Sequence, residues 1–430
     1  MSHPTRTLQV SSLARVEGEG ALKLVVENGE VGEALLQIYE PPRFFEAFLR
    51  GRQHTEVPDI TSRICGICPV AYQTSGWQAI EDACGVVVDE PITALRRLLY
   101  CGEWISSHTL HMFFLHAPDF LGYQDVIAMA RDHQGPVEMA LRLKKSGNAI
   151  LEAVGGRAIH PVNPRVGGFH RAPTKAELAP LAEQLRHALD DAVAALDWAA
   201  TLDFPDLELE HDLLAVHHPD YYAIESGDIR SSRGLVMPVS EFSEHVVEHH
   251  APQSTALHAT LDGRRYLTGP LARYSLSNAQ LSPIARDAAT RVGLGDTCRN
   301  PFRSILVRGV ETIYAVDEAL RLIADYERPD PPAYDVPPRA GVGHGVSEAP
   351  RGLLYHRYEL DADGLITSAT IVPPTSQNQP AIEDDLRRVA SANLHLDDEA
   401  LTALCERTIR NYDPCISCST HFLDLTIEHR

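Results

Sequence analysis

Two pairs of cysteines at opposite ends of the chain offer the clearest chemistry in this sequence. Cys65 and Cys68 form one C-x2-C pair, and Cys415 and Cys418 form the other. A C-x2-C turn directs two thiolates toward one point, so two such turns can supply four sulfur ligands to one metal centre. Because nearly the whole chain separates the pairs, we predict that the fold closes head to tail around a thiolate-bound metal.

The spacing of these cysteines alone leaves a structural zinc site and a catalytic metal site open. Zinc knuckles usually keep both pairs close together in a small domain, whereas these pairs lie at opposite ends of the sequence. A thioredoxin-type redox pair would follow a strand in a βαβ unit, and the sequence shows no such unit. The remaining cysteines are single residues, expected to act as buried apolar side chains: Cys84, Cys101, Cys298 and Cys405.

Composition and charge describe an acidic globular protein. The chain has 430 residues, of which 44% are hydrophobic and 23% charged, and its formal net charge is −21. An acidic chain repels phosphate backbones, so we do not expect it to bind nucleic acid. No apolar window approaches the roughly 20 residues of a membrane span, and the first residues lack an apolar signal core. These features predict a cytoplasmic protein.

The apolar periodicity predicts a mainly helical chain with small β-hairpins near both ends, which is an α+β fold. A hairpin is predicted around Asn28-Gly29, and another around Asp361-Ala362-Asp363-Gly364. Helices are predicted over 43–52, 70–84, 91–116, 136–154, 174–200, 281–294, 301–327, 379–393 and 397–411.

A proline-rich connector over 330–338 divides the sequence. We predict one domain built from three segments. Residues 1–90 hold the first hairpin and the first cysteine pair. Residues 91–328 form a helical body, and residues 339–430 hold the second hairpin, the last helices and the second cysteine pair.

The residues around both cysteine pairs resemble two signature motifs of the large subunit of nickel–iron hydrogenases. Four further stretches resemble the same family in the same order along the chain. The six stretches are Arg15-Val16-Glu17-Gly18, Arg43-Phe44-Phe45-Glu46, Arg63-Ile64-Cys65-Gly66-Ile67-Cys68-Pro69, Glu348-Ala349-Pro350-Arg351-Gly352, Pro374-Thr375-Ser376-Gln377-Asn378 and Asp413-Pro414-Cys415-Ile416-Ser417-Cys418-Ser419-Thr420-His421. Six ordered matches are more specific than any single one. The sequence looks most like the cytoplasmic NAD(P)-linked and sulfhydrogenase alpha group.

The resemblance implies that the four cysteines hold a nickel–iron centre. Cys65 and Cys415 correspond to terminal nickel ligands, and Cys68 and Cys418 to ligands that bridge nickel and iron. The iron would carry one carbonyl and two cyanide ligands. Thiolates suit nickel and low-spin iron better than they suit hard cations. The family also places Mg²⁺ near the C-terminal motif, where oxygen ligands are preferred and Glu46 and His421 match its side-chain ligands.

Four further residues acquire roles from the resemblance. Glu17 matches the proton-transfer glutamate, and a carboxylate beside thiolates is suited to accept and pass a proton. Arg351 matches the arginine over the open metal position, where a permanent positive charge stabilises charge on the bound species. Ser376 corresponds to a hydroxyl that hydrogen-bonds a cyanide. Asp119 is predicted to be a carboxylate near that arginine.

The implied function is reversible heterolytic cleavage of H2 into protons and electrons, with Cys415 passing the proton to Glu17. Since no cysteines remain at the spacing of an iron–sulfur cluster, electrons would leave through an iron–sulfur small subunit. Flavin- and NAD(P)-binding subunits would then receive them. The family also implies a maturation endopeptidase that removes the tail after His421, here Phe422 to Arg430. A zinc-stabilised scaffold and a respiratory-complex subunit that shares the fold are the alternatives.

Overall fold

Long helices form the body of the molecule, and small β-sheets surround them. The structure, a computed structural model, describes residues 5–421. Its α-helices are α1 (Phe45–Leu49), α2 (Val57–Thr61), α3 (Pro69–Cys84), α4 (Glu90–Thr109), α5 (Ala117–Leu121), α6 (Val126–Met129), α7 (Gln134–Gly155), α8 (Lys175–Ala199), α9 (Phe242–His245), α10 (Pro270–Ser277), α11 (Pro283–Arg291), α12 (Ser304–Ala324), α13 (Pro374–Ala392), α14 (Asp398–Arg410) and α15 (Ile416–Ser419). Its strands are β1 (Arg6–Val10), β2 (Gly20–Glu27), β3 (Glu30–Ile38), β4 (Pro164–Arg165), β5 (Gly168–Phe169), β6 (Asp212–His217), β7 (Asp228–Ser231), β8 (Val236–Met237), β9 (Val246–His250), β10 (Leu257–Leu261), β11 (Tyr266–Leu267), β12 (Gly341–Ala349), β13 (Gly352–Leu360) and β14 (Ile366–Val372). The predicted α+β fold class is confirmed.

The predicted N-terminal hairpin is β2 paired with β3, and β1 adds to β2 as a third antiparallel strand. Asn28 and Gly29 have φ angles of 55° and 82°. Positive φ at both central residues is what a tight two-residue hairpin turn needs, which explains why this dipeptide predicted the turn correctly.

The C-terminal hairpin is also present as β13 and β14, but the sheet has a third strand, β12, which the sequence analysis missed. Its glycines are poor strand formers, so the pattern concealed it. A Cβ atom on Gly343 would lie 1.9 Å from the Ala79 carbonyl oxygen, and one on Gly345 would lie 2.1 Å from that of Ser75. Glycine therefore lets α3 lie directly on β12. Because α3 begins immediately after Cys68, this contact fixes the first cysteine turn against the sheet.

The long helices form a bundle in the middle segment. Helix α4 packs against α7 and α12, and α8 packs against the same two helices. The predicted helix over 91–116 is α4 followed by a π-helical turn, Leu110–His116. Residues 205–275, over which no helix was predicted, hold the mixed sheet β11-β6-β7-β8 and the hairpin β9-β10.

One large apolar core joins residues from the N-terminal sheet, the bundle and the C-terminal sheet, and the four paired cysteines belong to it. The division into three segments stays a prediction. Within residues 5–421, no helix combines the length and apolar character needed to cross a bilayer.

Candidate metal centre

The four paired cysteines meet in one buried cluster. The Sγ atoms of Cys65 and Cys415 are 3.5 Å apart, and those of Cys68 and Cys418 are 3.6 Å apart. All four sulfurs lie within 4.8 Å of one another, and none of the four residues is more than 2% exposed. All eight cysteines lie among the described residues, and none of them is in a disulfide. The structure thus brings both ends of the chain to one point, as the spacing predicted.

Local structure aims each pair inward. Cys68 immediately precedes α3, and Cys415 immediately precedes the short helix α15, which contains Cys418. The backbone N–H groups of Ile67 and Cys68 donate to Cys65 Sγ at 3.3 and 3.4 Å. Hydrogen bonds of this kind favour a thiolate over a thiol.

Arg43 connects the two cysteine turns. Its Nη2 atom donates to the Ile64 carbonyl oxygen at 2.6 Å and also to the Ser417 carbonyl oxygen. Its backbone N–H donates to the Thr420 carbonyl oxygen at 2.6 Å. In the sequence, Arg43 stood out only as part of a motif. In the structure, its guanidinium joins loops from the two ends of the chain.

The electrostatics of the pocket favour a bound cation. Burial raises the pKa of Cys415 well above its usual value, and its three neighbouring sulfurs raise it further. Burial likewise raises the pKa of Cys418. Four thiolates this close together repel one another, whereas metal ions bind thiolates and offset that repulsion. The donor set therefore fits soft metal ions held by sulfur.

Glu17 lies beside the second cysteine pair. Its Oε2 atom is 3.2 Å from Cys415 Sγ and accepts a hydrogen bond from the Ser417 N–H at 3.0 Å. The Ile416 N–H donates to the Glu17 carbonyl oxygen at 2.9 Å, in an isolated parallel bridge between Glu17 and Cys415. The carboxylate is thus held within proton-transfer distance of a candidate metal ligand. Its catalytic role stays a prediction.

Arg351 lies at the turn between β12 and β13. Its Nε atom donates to the Asp413 carbonyl oxygen at 2.9 Å, and its Nη2 atom is 3.1 Å from Asp413 Oδ1. Burial lowers the pKa of Arg351, but Asp413 and the thiolates of Cys415 and Cys68 raise it well above the usual value. The side chain is therefore charged. Its Nη1 atom is buried and has no hydrogen-bond partner among residues 5–421.

Asp413 is a residue to which the sequence analysis gave no role. Its φ angle is 51°, and its Oδ2 atom lies 3.5 Å from Arg308 Nη1. Two buried arginines therefore share this carboxylate, directly before the second cysteine pair. The only signal in the sequence was its place in the C-terminal motif, because both arginines come from distant segments.

Asp119 was predicted to lie near Arg351, but it forms ion pairs with Arg15 and Arg410 instead. Its oxygens contact Arg15 and Arg410, with distances of 2.6 Å to Arg410 Nε and 2.8 Å to Arg410 Nη2. Burial raises the pKa of Asp119, but Arg410 and Arg15 outweigh burial and leave it lowered. The carboxylate that contacts Arg351 is Asp413. A cofactor-binding role for Asp119 stays a prediction.

Thr375 and Ser376 lie in the first turn of α13. The Thr375 hydroxyl accepts a hydrogen bond from the Cys415 N–H at 2.9 Å, so this helix helps to position the second cysteine turn. The Ser376 hydroxyl is buried, has no hydrogen-bond partner within 3.5 Å in the described part of the chain, and lies near the Glu248 carboxyl. A free, buried donor is suited to a ligand that accepts a hydrogen bond.

Glu46 and His421 form a second candidate metal site. His421 Nε2 is 3.9 Å from Glu46 Oε1 and 2.6 Å from the Ile371 carbonyl oxygen, while its Nδ1 is 2.5 Å from the Cys418 carbonyl oxygen. The Ile371 N–H donates to Glu46 Oε1 at 2.8 Å. Burial lowers the pKa of His421 to about 4. The imidazole is therefore neutral near pH 7, as a metal-binding histidine must be.

Two histidines of the π-helical turn contact the residues that immediately precede the C-terminal motif. His111 Nε2 is 2.7 Å from the Arg410 carbonyl oxygen, and His116 Nε2 is 2.9 Å from Asn411 Oδ1. Both histidines are buried. These contacts connect the helical bundle to the residues just before Asp413.

Comparisons with known proteins agree with this geometry. The family model described as nickel-dependent hydrogenase matches residues 43–148 and 261–421. Sulfhydrogenase 1 subunit alpha of Pyrococcus furiosus is 34% identical over 97% of this chain and 98% of its own length. NAD-reducing hydrogenase HoxS subunit beta of Cupriavidus necator is 29% identical over 97% of this chain and 95% of its own.

Similarity extends to solved structures. The chain matches a crystal structure of NAD⁺-reducing [NiFe]-hydrogenase in the H2-reduced state with a TM-score of 0.87 and 26% identity. That match covers 97% of this chain and 100% of the other. The chain therefore belongs to the nickel-dependent hydrogenase family, as the large subunit of a nickel–iron hydrogenase.

Proposed function

We propose that this large subunit cleaves H2 reversibly and heterolytically, with Glu17 receiving the proton from Cys415. The observation that carries the proposal is the 3.2 Å contact between Cys415 Sγ and Glu17 Oε2 at the edge of the sulfur cluster. The thiolates of Cys65, Cys68, Cys415 and Cys418 would hold the nickel–iron centre. The nickel–iron pair would supply the site where H2 binds and is polarised. Cys415 is then the base next to that site, and Glu17 takes its proton.

We propose that Arg351 and Ser376 hold ligands of the iron, namely one carbonyl and two cyanides. Arg351 Nη1 and Ser376 Oγ are buried donors that have no partner within 3.5 Å among the described residues. Cyanide nitrogens accept hydrogen bonds, so such ligands would satisfy both donors. The Arg351 charge, kept in place by Asp413, would also stabilise negative charge that develops beside it.

Glu46 and His421 would hold Mg²⁺ together with the Ile371 carbonyl oxygen. A neutral imidazole carries only one N–H, yet both nitrogens of His421 face carbonyl oxygens. One nitrogen lone pair therefore opposes a carbonyl lone pair. A cation shared by Nε2, the carbonyl oxygen and the Glu46 carboxylate would remove that repulsion. Such a site would tie His421 to β14 and so support the second cysteine turn.

We infer that electrons leave through an iron–sulfur small subunit, and then through flavin- and NAD(P)-binding subunits, in the cytoplasm. Two relatives are named as an alpha subunit of a sulfhydrogenase and a subunit of an NAD-reducing hydrogenase. Among the described residues, none of the other four cysteines belongs to a group of side chains close enough to hold a metal, so an iron–sulfur cluster would have to be held by another subunit. The tail proposed for removal by an endopeptidase, Phe422 to Arg430, lies outside the described residues.

Elemental analysis with infrared spectroscopy of the purified complex tests the proposed centre. We expect elemental analysis to find nickel and iron, and infrared spectroscopy to show bands from carbonyl and cyanide. The complex should also reduce NAD(P)⁺ with H2. In the Cys65→Ser variant nickel should be lost, whereas the Cys84→Ser control, which alters a buried cysteine outside the cluster, should keep it. Zinc alone, with no infrared bands, would indicate the scaffold interpretation instead.

A further inference from the structure

Ser417 contacts two carboxylates with different atoms. Its backbone N–H donates to Glu17 Oε2 at 3.0 Å, and its hydroxyl Oγ donates to Glu40 Oε2 at 3.1 Å. Ser417 therefore contacts the carboxylate beside Cys415 through its N–H group and a second carboxylate through its hydroxyl. Rotation about one bond, Cα–Cβ, is enough to turn a serine hydroxyl from one neighbour to another.

Glu40 is held in place and reaches solvent. Its Oε2 atom accepts a hydrogen bond from the Glu19 N–H at 3.3 Å, and its Oε1 atom is 3.8 Å from Arg43 Nε. Its side chain is 15% exposed. The charged groups that face it are thus the Arg43 guanidinium and, across Ser417, the Glu17 carboxylate.

Gly18 makes this arrangement possible. Its φ angle is +87°, and a Cβ atom there would lie 2.6 Å from Glu40 Oε2 and 3.0 Å from the Ser417 nitrogen. Any side chain would therefore push Glu40 away from Ser417. The absence of a side chain at Gly18, next to Glu17, therefore leaves room for the Glu40 carboxylate.

We propose that Glu40 is the next proton carrier after Glu17, with the Ser417 hydroxyl as the relay between them. The protonated Glu17 carboxyl gives its proton to Ser417 Oγ while Ser417 gives its own proton to Glu40 Oε2. One O–H bond breaks and one forms at the serine, so the hydroxyl is regenerated. One proton moves outward and no electron is transferred. Glu40 then releases the proton to water, and this chain supplies the whole route.

The proposal rests on proton acceptance by Glu17 and is tested with Glu40→Gln and Ser417→Ala in the complete complex. We expect each variant to lower H2-dependent turnover by roughly tenfold or more and to enlarge the solvent deuterium isotope effect. Metal content and the infrared carbonyl and cyanide bands should stay unchanged. Glu40→Asp should restore part of the rate. Glu30→Gln, which alters an exposed carboxylate at the start of β3, a strand that ends two residues before Glu40, should behave like the wild type.

Unchanged turnover and an unchanged isotope effect in Glu40→Gln would overturn the proposal. Loss of metal or shifted infrared bands in that variant would also overturn it, because Glu40 would then be structural. A Glu17→Gln variant measured alongside separates the two ideas. If that variant is slow while Glu40→Gln is fast, Glu17 still accepts the proton and only the route through Glu40 fails.

Discussion

Replacing Glu17 with glutamine removes the ability of this side chain to accept a proton but keeps its structural contacts. The amide oxygen of glutamine can still accept the hydrogen bond that the Ser417 N–H gives Glu17 Oε2 at 3.0 Å. The backbone bridge to the second cysteine turn does not involve the side chain at all. The change that remains is at the 3.2 Å contact with Cys415 Sγ, where a carboxylate can take a proton and an amide cannot.

The size of the effect follows from that single loss. A positioned general acid–base group contributes about 10²- to 10⁴-fold in rate. Since a tenfold rate change corresponds to about 1.4 kcal/mol, the variant should raise the activation barrier by about 3–5 kcal/mol. Glu17→Asp keeps a carboxylate but withdraws it by one methylene. A misplacement of about 1 Å can cost about 100-fold, so aspartate should restore little of the rate.

The assay compares H2-dependent turnover with metal content and the infrared bands of the same samples. Glu19→Gln is the matched control, because Glu19 is an exposed carboxylate two residues away. We expect normal metal content and normal bands in both variants, with slow turnover only in Glu17→Gln. Wild-type turnover in Glu17→Gln would refute the proposed proton acceptor.

The remaining predictions concern the supports of the centre. Arg43→Lys cannot bridge the Ile64 and Ser417 carbonyls with one planar group, so metal content should fall, as measured by elemental analysis. Asp413→Asn leaves two buried arginines without their carboxylate, so urea unfolding should show a loss of about 3–5 kcal/mol, whereas Asp190→Asn at the surface should show almost none. Burial lowers the pKa of His258 to about 4, and the nearby His249 lowers it further. Between about pH 6.5 and 4, the imidazole of His258 is therefore protonated in the unfolded chain but neutral in the folded chain. The stability that His258 contributes is present above pH 6.5 and is lost as the pH falls toward 4, by about 3 kcal/mol. His258→Gln should therefore flatten the acid side of a pH–melting curve, whereas the exposed His187→Gln should not, and parallel curves for wild type and His258→Gln would contradict this reasoning.

The parts of the site that the sequence predicted are those set by short-range patterns. Each C-x2-C pair specifies its own turn, and the resemblance in the flanking residues identified Glu17, Glu46, Arg351 and His421 as candidates. The fold then places Glu17 against Cys415, and Glu46 near His421. Hairpins with an Asn-Gly or Asp-x-Asp-Gly turn were predicted for the same reason, since the turn residues themselves fix the backbone.

Features that depend on distant partners could not be predicted in this way. Asp413 acquires its place from Arg351 and Arg308, and Asp119 is drawn to Arg15 and Arg410 instead. Strand β12 forms although glycine is a poor strand former, because only glycine leaves room for α3 to pack directly on it. In each case tertiary contact outweighs the local pattern.

X-ray absorption at the nickel edge, measured on the purified complex, tests most directly whether the two ends of the chain share one metal centre. We predict nickel surrounded by four sulfur scatterers in the wild type, and loss of nickel in the Cys415→Ser variant, as in Cys65→Ser. Nickel ligated only by nitrogen and oxygen, or a wild-type protein that contains zinc and no nickel, would contradict a centre built from Cys65, Cys68, Cys415 and Cys418.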